Sequence, residues 1–126
     1  VGKRYLIDSN AIIDFFKETL PENGIQFLFN IDPIISIITF IEIFANVKAG
    51  EKEIRELQNF CSIATVYNVN IEIALVTIEL RKKYKIKLPD ALIAATALHY
   101  RLILITRNIS DFNKIAGLKI INPHTI

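Results

Sequence analysis

The sequence has one cysteine, Cys61, and only two histidines, His99 and His124, set far apart. A lone thiol cannot close an internal disulfide, and no Cys-x-x-Cys or Cys/His spacing suits zinc. A disulfide scaffold and a zinc module are therefore disfavoured, and Cys61 is expected to be a small core residue. No stretch approaches the roughly 18 uninterrupted apolar residues of a membrane-spanning helix. The apolar stretch before Asp8 is too short for the core of a signal peptide. A soluble, cytoplasmic protein with no membrane association is the expectation. Internal repeats, linkers and low-complexity tracts are missing, as are β-hairpin signals and the basic-aromatic interleaving of single-strand binders.

The 126 residues suit one domain, 1–126, with a single sizeable core. Hydrophobic residues make up 52% of the chain and mean hydropathy is +0.36. That is high for so small a chain, so apolar side chains should reach the surface, where self-association would cover them. Net charge is +2, from 15 basic and 13 acidic residues. Once the four acids discussed below are set aside, the remainder is mildly basic, which suits a phosphodiester substrate.

Strand-like and helix-like segments alternate. Tyr5 to Asp8 is a short buried strand, and Ser9-Asn10 starts a helix through Lys17. Pro21 to Gly24 breaks the chain before a short helix at Ile25 to Phe29. Pro33 to Ile38 is a central strand, and Thr39 opens a helix through about Val47. A helix at Glu51 to Phe60 precedes a strand at Ile63 to Tyr67. Asn70 caps a helix ending near Tyr84, and Leu88-Pro-Asp90 starts another that reaches His99. Leu102 to Thr106 is the clearest strand; a short helical turn at Asp111 to Ala116 and a last strand at Leu118 to Ile121 follow. The strands are apolar on both faces, which predicts a parallel sheet covered by helices, with a site beyond the strands' carboxyl ends.

Asp8, Glu42, Asp90 and Asp111 fall where the predicted elements join. If those junctions share one sheet edge, the acids form an oxygen cage for Mg²⁺ or Mn²⁺. Without a cation, each close pair of carboxylates repels by about 4 kcal/mol at an intermediate dielectric. Each acid also has a local explanation. Thr39-Phe-Ile-Glu42 fits a capping box, which alone would account for Glu42. Asp90 follows Pro89 in a first helical turn, where the dipole favours an acid, and Asp111 suits a similar role. Asp8 is the hardest to explain locally, because Ser9 and Asn10 could cap the next helix without it. The remaining helical acids look solvent-facing; Asp14, one and a half turns after Asp8, is left open.

Leu6-Ile-Asp-Ser-Asn-Ala-Ile-Ile-Asp14 resembles the opening strand and acid of PIN domains. Thr39-Phe-Ile-Glu42, Leu88-Pro-Asp-Ala-Leu-Ile-Ala-Ala94 and Leu104-Ile-Thr-Arg-Asn-Ile-Ser-Asp-Phe112 resemble that family's next three blocks. The likeness runs from about Lys3 to Pro123 in the right order, and Ser9 stands where Thr is commoner. The resemblance implies a three-layer α/β/α PIN-like domain with a mainly parallel five-stranded sheet. Size and compactness are most similar to VapC toxins, the ribonuclease halves of VapBC toxin-antitoxin pairs. By resemblance, Asp8, Glu42, Asp90 and Asp111 are the catalytic, metal-binding acids, supported by Asn10, Thr106 and Asn108. A cognate antitoxin and a homodimer are implied in the same way.

The chemistry expected of such a cage is metal-assisted hydrolysis of a phosphodiester, which the resemblance implies is RNA, leaving a 5′-phosphate and a 3′-hydroxyl. Arg81 to Lys87 holds five basic residues in seven positions. Lys85 and Lys87, together with Arg107, are the candidates for phosphate contacts, although Arg81 and Lys82 equally suit a solvated helix end. Neither histidine suits metal-free acid-base catalysis. A non-catalytic PIN module that binds RNA or protein is the alternative from another class. A stand-alone RNA-processing nuclease is the alternative within the enzymes.

Overall fold

The structure, a computed structural model, describes residues 2–46 and 48–126. Its elements are β1 (Tyr5–Ile7), α1 (Ser9–Phe16), α2 (Glu22–Phe29), β2 (Ile34–Ser36), α3 (Ile37–Phe44) and α4 (Glu51–Ile63). They continue with β3 (Thr65–Tyr67), α5 (Ile71–Lys83), α6 (Leu88–Tyr100), β4 (Ile103–Ile105), α7 (Ile109–Phe112) and β5 (Ile120–Ile121). All strand pairs are parallel: β1 with β4, β4 with β5, and β2 with β3. β2 lies beside β1 without a hydrogen-bonded ladder, so the five strands run β3-β2-β1-β4-β5 as a group of three and a group of two.

Successive strand residues point to opposite faces, and both faces are apolar. Leu6, Ile34 and Leu104 pack into one cluster with Ile73 and Leu80 of α5 and the small, fully buried Ala91, Ala94, Ala95 and Ala97 of α6. Ile7, Ile35 and Ile105 pack on the other side with Ala11 and Ile12 of α1, Ile43 of α3 and Leu57 of α4. Burial on both faces is why the strands have continuous runs of Ile and Leu instead of alternating with polar residues. The result is the expected three-layer α/β/α arrangement.

The boundaries differ from expectation where capping chemistry decides them. Asp8 occupies the N-cap of α1, and its carboxylate accepts from the Ser9 N–H, so the acid does take part in capping. α3 opens at Ile37 because the Ser36 hydroxyl accepts from the Ile38 N–H. The capping box at Thr39 is therefore not formed. The fully buried Thr39 hydroxyl has no partner among the described residues, and Glu42 lies in the second turn. α3 ends at Phe44; the expected end at Val47 lies outside the described residues. α4 runs on to Ile63, and α7 begins at Ile109, two residues before Asp111. Asn70 caps α5 as expected, accepting from the Ile73 N–H.

The C-terminal segment folds back onto α2. A Cβ at Gly24 would overlap the Pro123 carbonyl group, a backbone neighbour that cannot move aside cheaply, so only glycine allows the two backbones to meet. Gly24→Ala should lower stability by roughly 1–3 kcal/mol, the usual cost of overpacking a filled contact. Chemical denaturation measures this, and an unchanged midpoint would show that the segment does not dock there.

Candidate functional site

The parallel register places the carboxyl ends of β1 and β4 side by side, with Ile7 opposite Ile105. The next residues, Asp8 and Thr106, then meet: the Thr106 hydroxyl donates to Asp8 Oδ2 at 2.9 Å. That hydroxyl also accepts from Asn10 Nδ2 at 3.1 Å and from the Asn108 backbone N–H at 3.0 Å. A hydroxyl has one hydrogen and two lone pairs. With both lone pairs taken by N–H donors, its hydrogen is committed to Asp8. Asn10 also reaches Asp8 Oδ2 at 3.3 Å, while Ser9 N–H holds Oδ1 at 2.8 Å. The first acid is therefore fixed at both oxygens.

The other three acids come from helices. Glu42, on α3, is exposed and accepts from the Ser9 hydroxyl at 3.1 Å. Asp90 is the third residue of α6 and half-buried; Asp111 is the third residue of α7 and exposed. Of the four, only Asp8 follows a strand directly; Asp90 enters from the turn between two helices.

Electrostatics tie the four together. Burial pushes the Asp8 carboxyl above its ordinary value, against the Thr106 and Ser9 hydrogen bonds, and the Glu42 charge adds to the rise. Burial also raises Asp90, reinforced by the charges of Asp8 and Asp111 and opposed by Lys87. Among the described residues none of the four takes part in an ion pair. Nor do any three carboxylate, imidazole or thiol groups there already converge on one point as a ready-made ion cage. The acids thus lie within mutual electrostatic reach, short of closed coordination.

The remaining expected site residues are distributed as follows. Asn10 and Thr106 contact Asp8 directly, whereas Asn108 contributes its backbone N–H. Lys87 is the N-cap residue of α6, three positions before Asp90, and exposed. The Lys85 side chain is exposed, and its carbonyl accepts from Lys114 Nζ at 2.6 Å. Arg107 is tied to Asp14 by Nη1, at 3.0 Å to Oδ1 and 2.9 Å to Oδ2. His124 Nε2 lies 2.8 Å from the same Asp14 Oδ2. Asp14 is thus buried and paired and not solvent-facing. Its spacing of one helical turn from Asn10 was the available signal, since the two then share a face of α1. Nothing in the tail sequence marked His124.

A family model described as PIN domain matches residues 5–118. Among curated proteins none matches the chain. Several solved structures do. A toxin-antitoxin complex from Klebsiella pneumoniae is 37% identical, with 97% of this chain and 99% of that one covered at a TM-score of 0.79. DNA-bound VapBC from Salmonella typhimurium is 26% identical, with 97% and 99% covered at a TM-score of 0.78. VapBC-1 from nontypeable Haemophilus influenzae is 27% identical, with 94% and 97% covered at a TM-score of 0.77.

The raised Asp90 carboxyl carries a stability consequence with a definite sign. Below its ordinary value of 3.8 the group is protonated both folded and unfolded, and it contributes nothing. As pH rises through the interval up to the raised folded value, the unfolded chain releases its proton first and stability falls. Asp90→Asn in EDTA should therefore melt higher than the wild type at pH 7. The gap should close as pH falls toward 3.8. Thermal melts across pH measure it; equal melting temperatures at pH 7 would show that Asp90 carries no such strain.

Proposed function

The chain belongs to the PIN-domain family, and from that premise we propose that it is a metal-dependent endoribonuclease, the toxin half of a toxin-antitoxin pair. The observation that carries this reading is the group of Asp8, Glu42, Asp90 and Asp111 at one sheet edge with no ion-pair partner among the described residues. Burial raises two of the four, helped at Asp8 by the charge of Glu42 and at Asp90 by the charges of Asp8 and Asp111. Such an arrangement is unfavourable unless a cation neutralises it.

The donor set fits a hard divalent ion. All four groups are carboxylates, with no thiolate or imidazole among them, which suits Mg²⁺ or Mn²⁺ over zinc. Asp8, Glu42, Asp90 and Asp111 would hold it. When bound, the ion supplies Lewis acidity to a phosphate oxygen and makes water a competent nucleophile near neutral pH.

The chain's own residues do the rest. Thr106 and Asn10 hold Asp8 Oδ2, and Ser9 holds Oδ1, so this carboxylate needs no reorganisation on binding. The Ser9 hydroxyl restrains Glu42 in the same way. Lys87 lies beside Asp90 and, with Arg107 and Lys85, offers exposed positive charge for the RNA backbone. Hydrolysis between phosphorus and the 3′ oxygen leaves a 5′-phosphate and a 3′-hydroxyl. Neither histidine touches an acid of the group: His99 stands edge-on to Tyr100, and His124 is engaged by Asp14.

An antitoxin partner is part of the proposal, supported by neighbours that are themselves toxin-antitoxin complexes. So is a homodimer. Ile71, Leu75 and Ile78 of α5 and Ile41 of α3 are exposed large hydrophobics, which a second copy would cover. No helix among the described residues is long and apolar enough to cross a membrane.

Incubation with total RNA in Mg²⁺ or Mn²⁺ should yield discrete fragments that are absent in EDTA and absent with Asp8→Asn. Intact RNA in every class with the metal-loaded wild type would favour a binding-only module. Independently, Thr106→Val should weaken Mn²⁺ binding by roughly 10–100-fold in calorimetry, the usual effect of removing a ligand's hydrogen-bonding partner. Unchanged affinity would mean that Asp8 is not a ligand or is not held by Thr106.

A further inference from the structure

Helix α1 grips Arg107 at two points one turn apart. Asn10 Oδ1 accepts from its backbone N–H at 2.9 Å, and Asp14 accepts from Nη1 with both carboxylate oxygens. Asp14 is 6% exposed, so this carboxylate is almost wholly withdrawn from water. His124 Nε2 lies 2.8 Å from Oδ2, the same oxygen that Arg107 Nη1 holds at 2.9 Å, and against a carboxylate oxygen, which accepts, that nitrogen is the donor. His124 is placed there by a turn in which its backbone N–H donates to Asn122 Oδ1, next to the Pro123–Gly24 contact.

The guanidinium is anchored asymmetrically. Only Nη1 is engaged; Nη2 and Nε make no hydrogen bond among the described residues, and the Arg107 side chain is 56% exposed. A salt bridge that served stability alone would gain most from the two-nitrogen fork, the strongest Arg–carboxylate geometry. Here one nitrogen is held by the carboxylate and the remaining donors are left without a partner among the described residues on a largely exposed side chain. That side chain belongs to the residue after Thr106, whose backbone is held by the same Asn10 that touches Asp8.

We infer that Asp14 is a positioning residue that aims Arg107 at a phosphate of the RNA strand beside the acid site, with His124 of the C-terminal segment restraining the same carboxylate. The inference rests on the nuclease reading above and deepens it. Asp14 touches no substrate; it acts through Arg107. Freed from Asp14, the guanidinium would search many rotamers, and its contact with phosphate would be offset by the cost of ordering it.

The test uses a labelled RNA oligonucleotide spanning the cut found with total RNA, cleaved in Mn²⁺ by the wild type, Asp14→Asn, Arg107→Ala and the double variant. Asp14→Asn and Arg107→Ala should each raise KM by about tenfold, the effect of losing one charge-assisted hydrogen bond, with a smaller change in kcat. The double variant should be no worse than Arg107→Ala, because Asp14 has nothing left to position. Mn²⁺ affinity by calorimetry should match the wild type in all three. A merely structural Asp14 would give additive losses, and additive losses or an unchanged KM in Asp14→Asn overturn the inference while the nuclease reading stands. Should Asp14→Asn not fold, His124→Ala takes its place in the same cycle. It should raise KM, and His124→Gln, which keeps a nitrogen donor, should restore it; no rise in His124→Ala overturns the inference. If total RNA shows no cut, the nuclease reading fails and the substrate role of Arg107 falls with it.

Discussion

One hydroxyl hydrogen organises the site. Thr106 receives two N–H donors, from Asn10 and Asn108, and so must give its own hydrogen to Asp8. That bond is possible only because β1 and β4 are parallel and in register, with Ile7 opposite Ile105 and the Asp8 N–H donating to the Ile105 carbonyl. A slip of one residue would turn Thr106 to the other face of the sheet and Asp8 would lose its partner. The register is held in turn by the core: Leu104 and Ile105 are buried on opposite faces, and neither layer tolerates the exchange.

Around this fixed point the chain concentrates negative charge. Asp8 is raised by burial and by Glu42, and Asp90 by burial and then by Asp8 and Asp111. Folding without a cation gathers these charges against their repulsion. Exposure of Glu42 and Asp111 relieves part of the strain, because water screens them, while Asp8 and Asp90 carry the burial.

Much of this was legible in the sequence, for local reasons. The strands announced themselves as short runs of branched apolar residues, and Asn70 and Pro89 marked the starts of α5 and α6. Asp8 and Thr106 were legible because each ends such a run. Ser36 is not singled out as the cap of α3 by sequence, because a competing Thr39-to-Glu42 pattern fits the capping rule equally well; in the fold Thr39 is a buried residue inside the first turn of α3 and Ser36 takes the cap. Asp14 could be placed on α1 but not paired. Its partners lie 93 and 110 residues away, and no local periodicity records a contact of that range.

That range has a consequence for how the site comes into being. Asp8, Asn10 and Asp14 belong to the first strand and helix, whereas Thr106, Arg107 and His124 belong to the last fifth of the chain. The Thr106 hydrogen bond to Asp8 requires β4 beside β1, with the intervening chain closed into a loop between them. Long-range pairing of this kind is costly in chain entropy and is repaid only by the core that accompanies it. A chain lacking its last strands would have neither Thr106 to orient Asp8 nor Arg107 and His124 to hold Asp14. The ordered site is therefore a property of the closed domain, to which the C-terminal turn over Gly24 belongs.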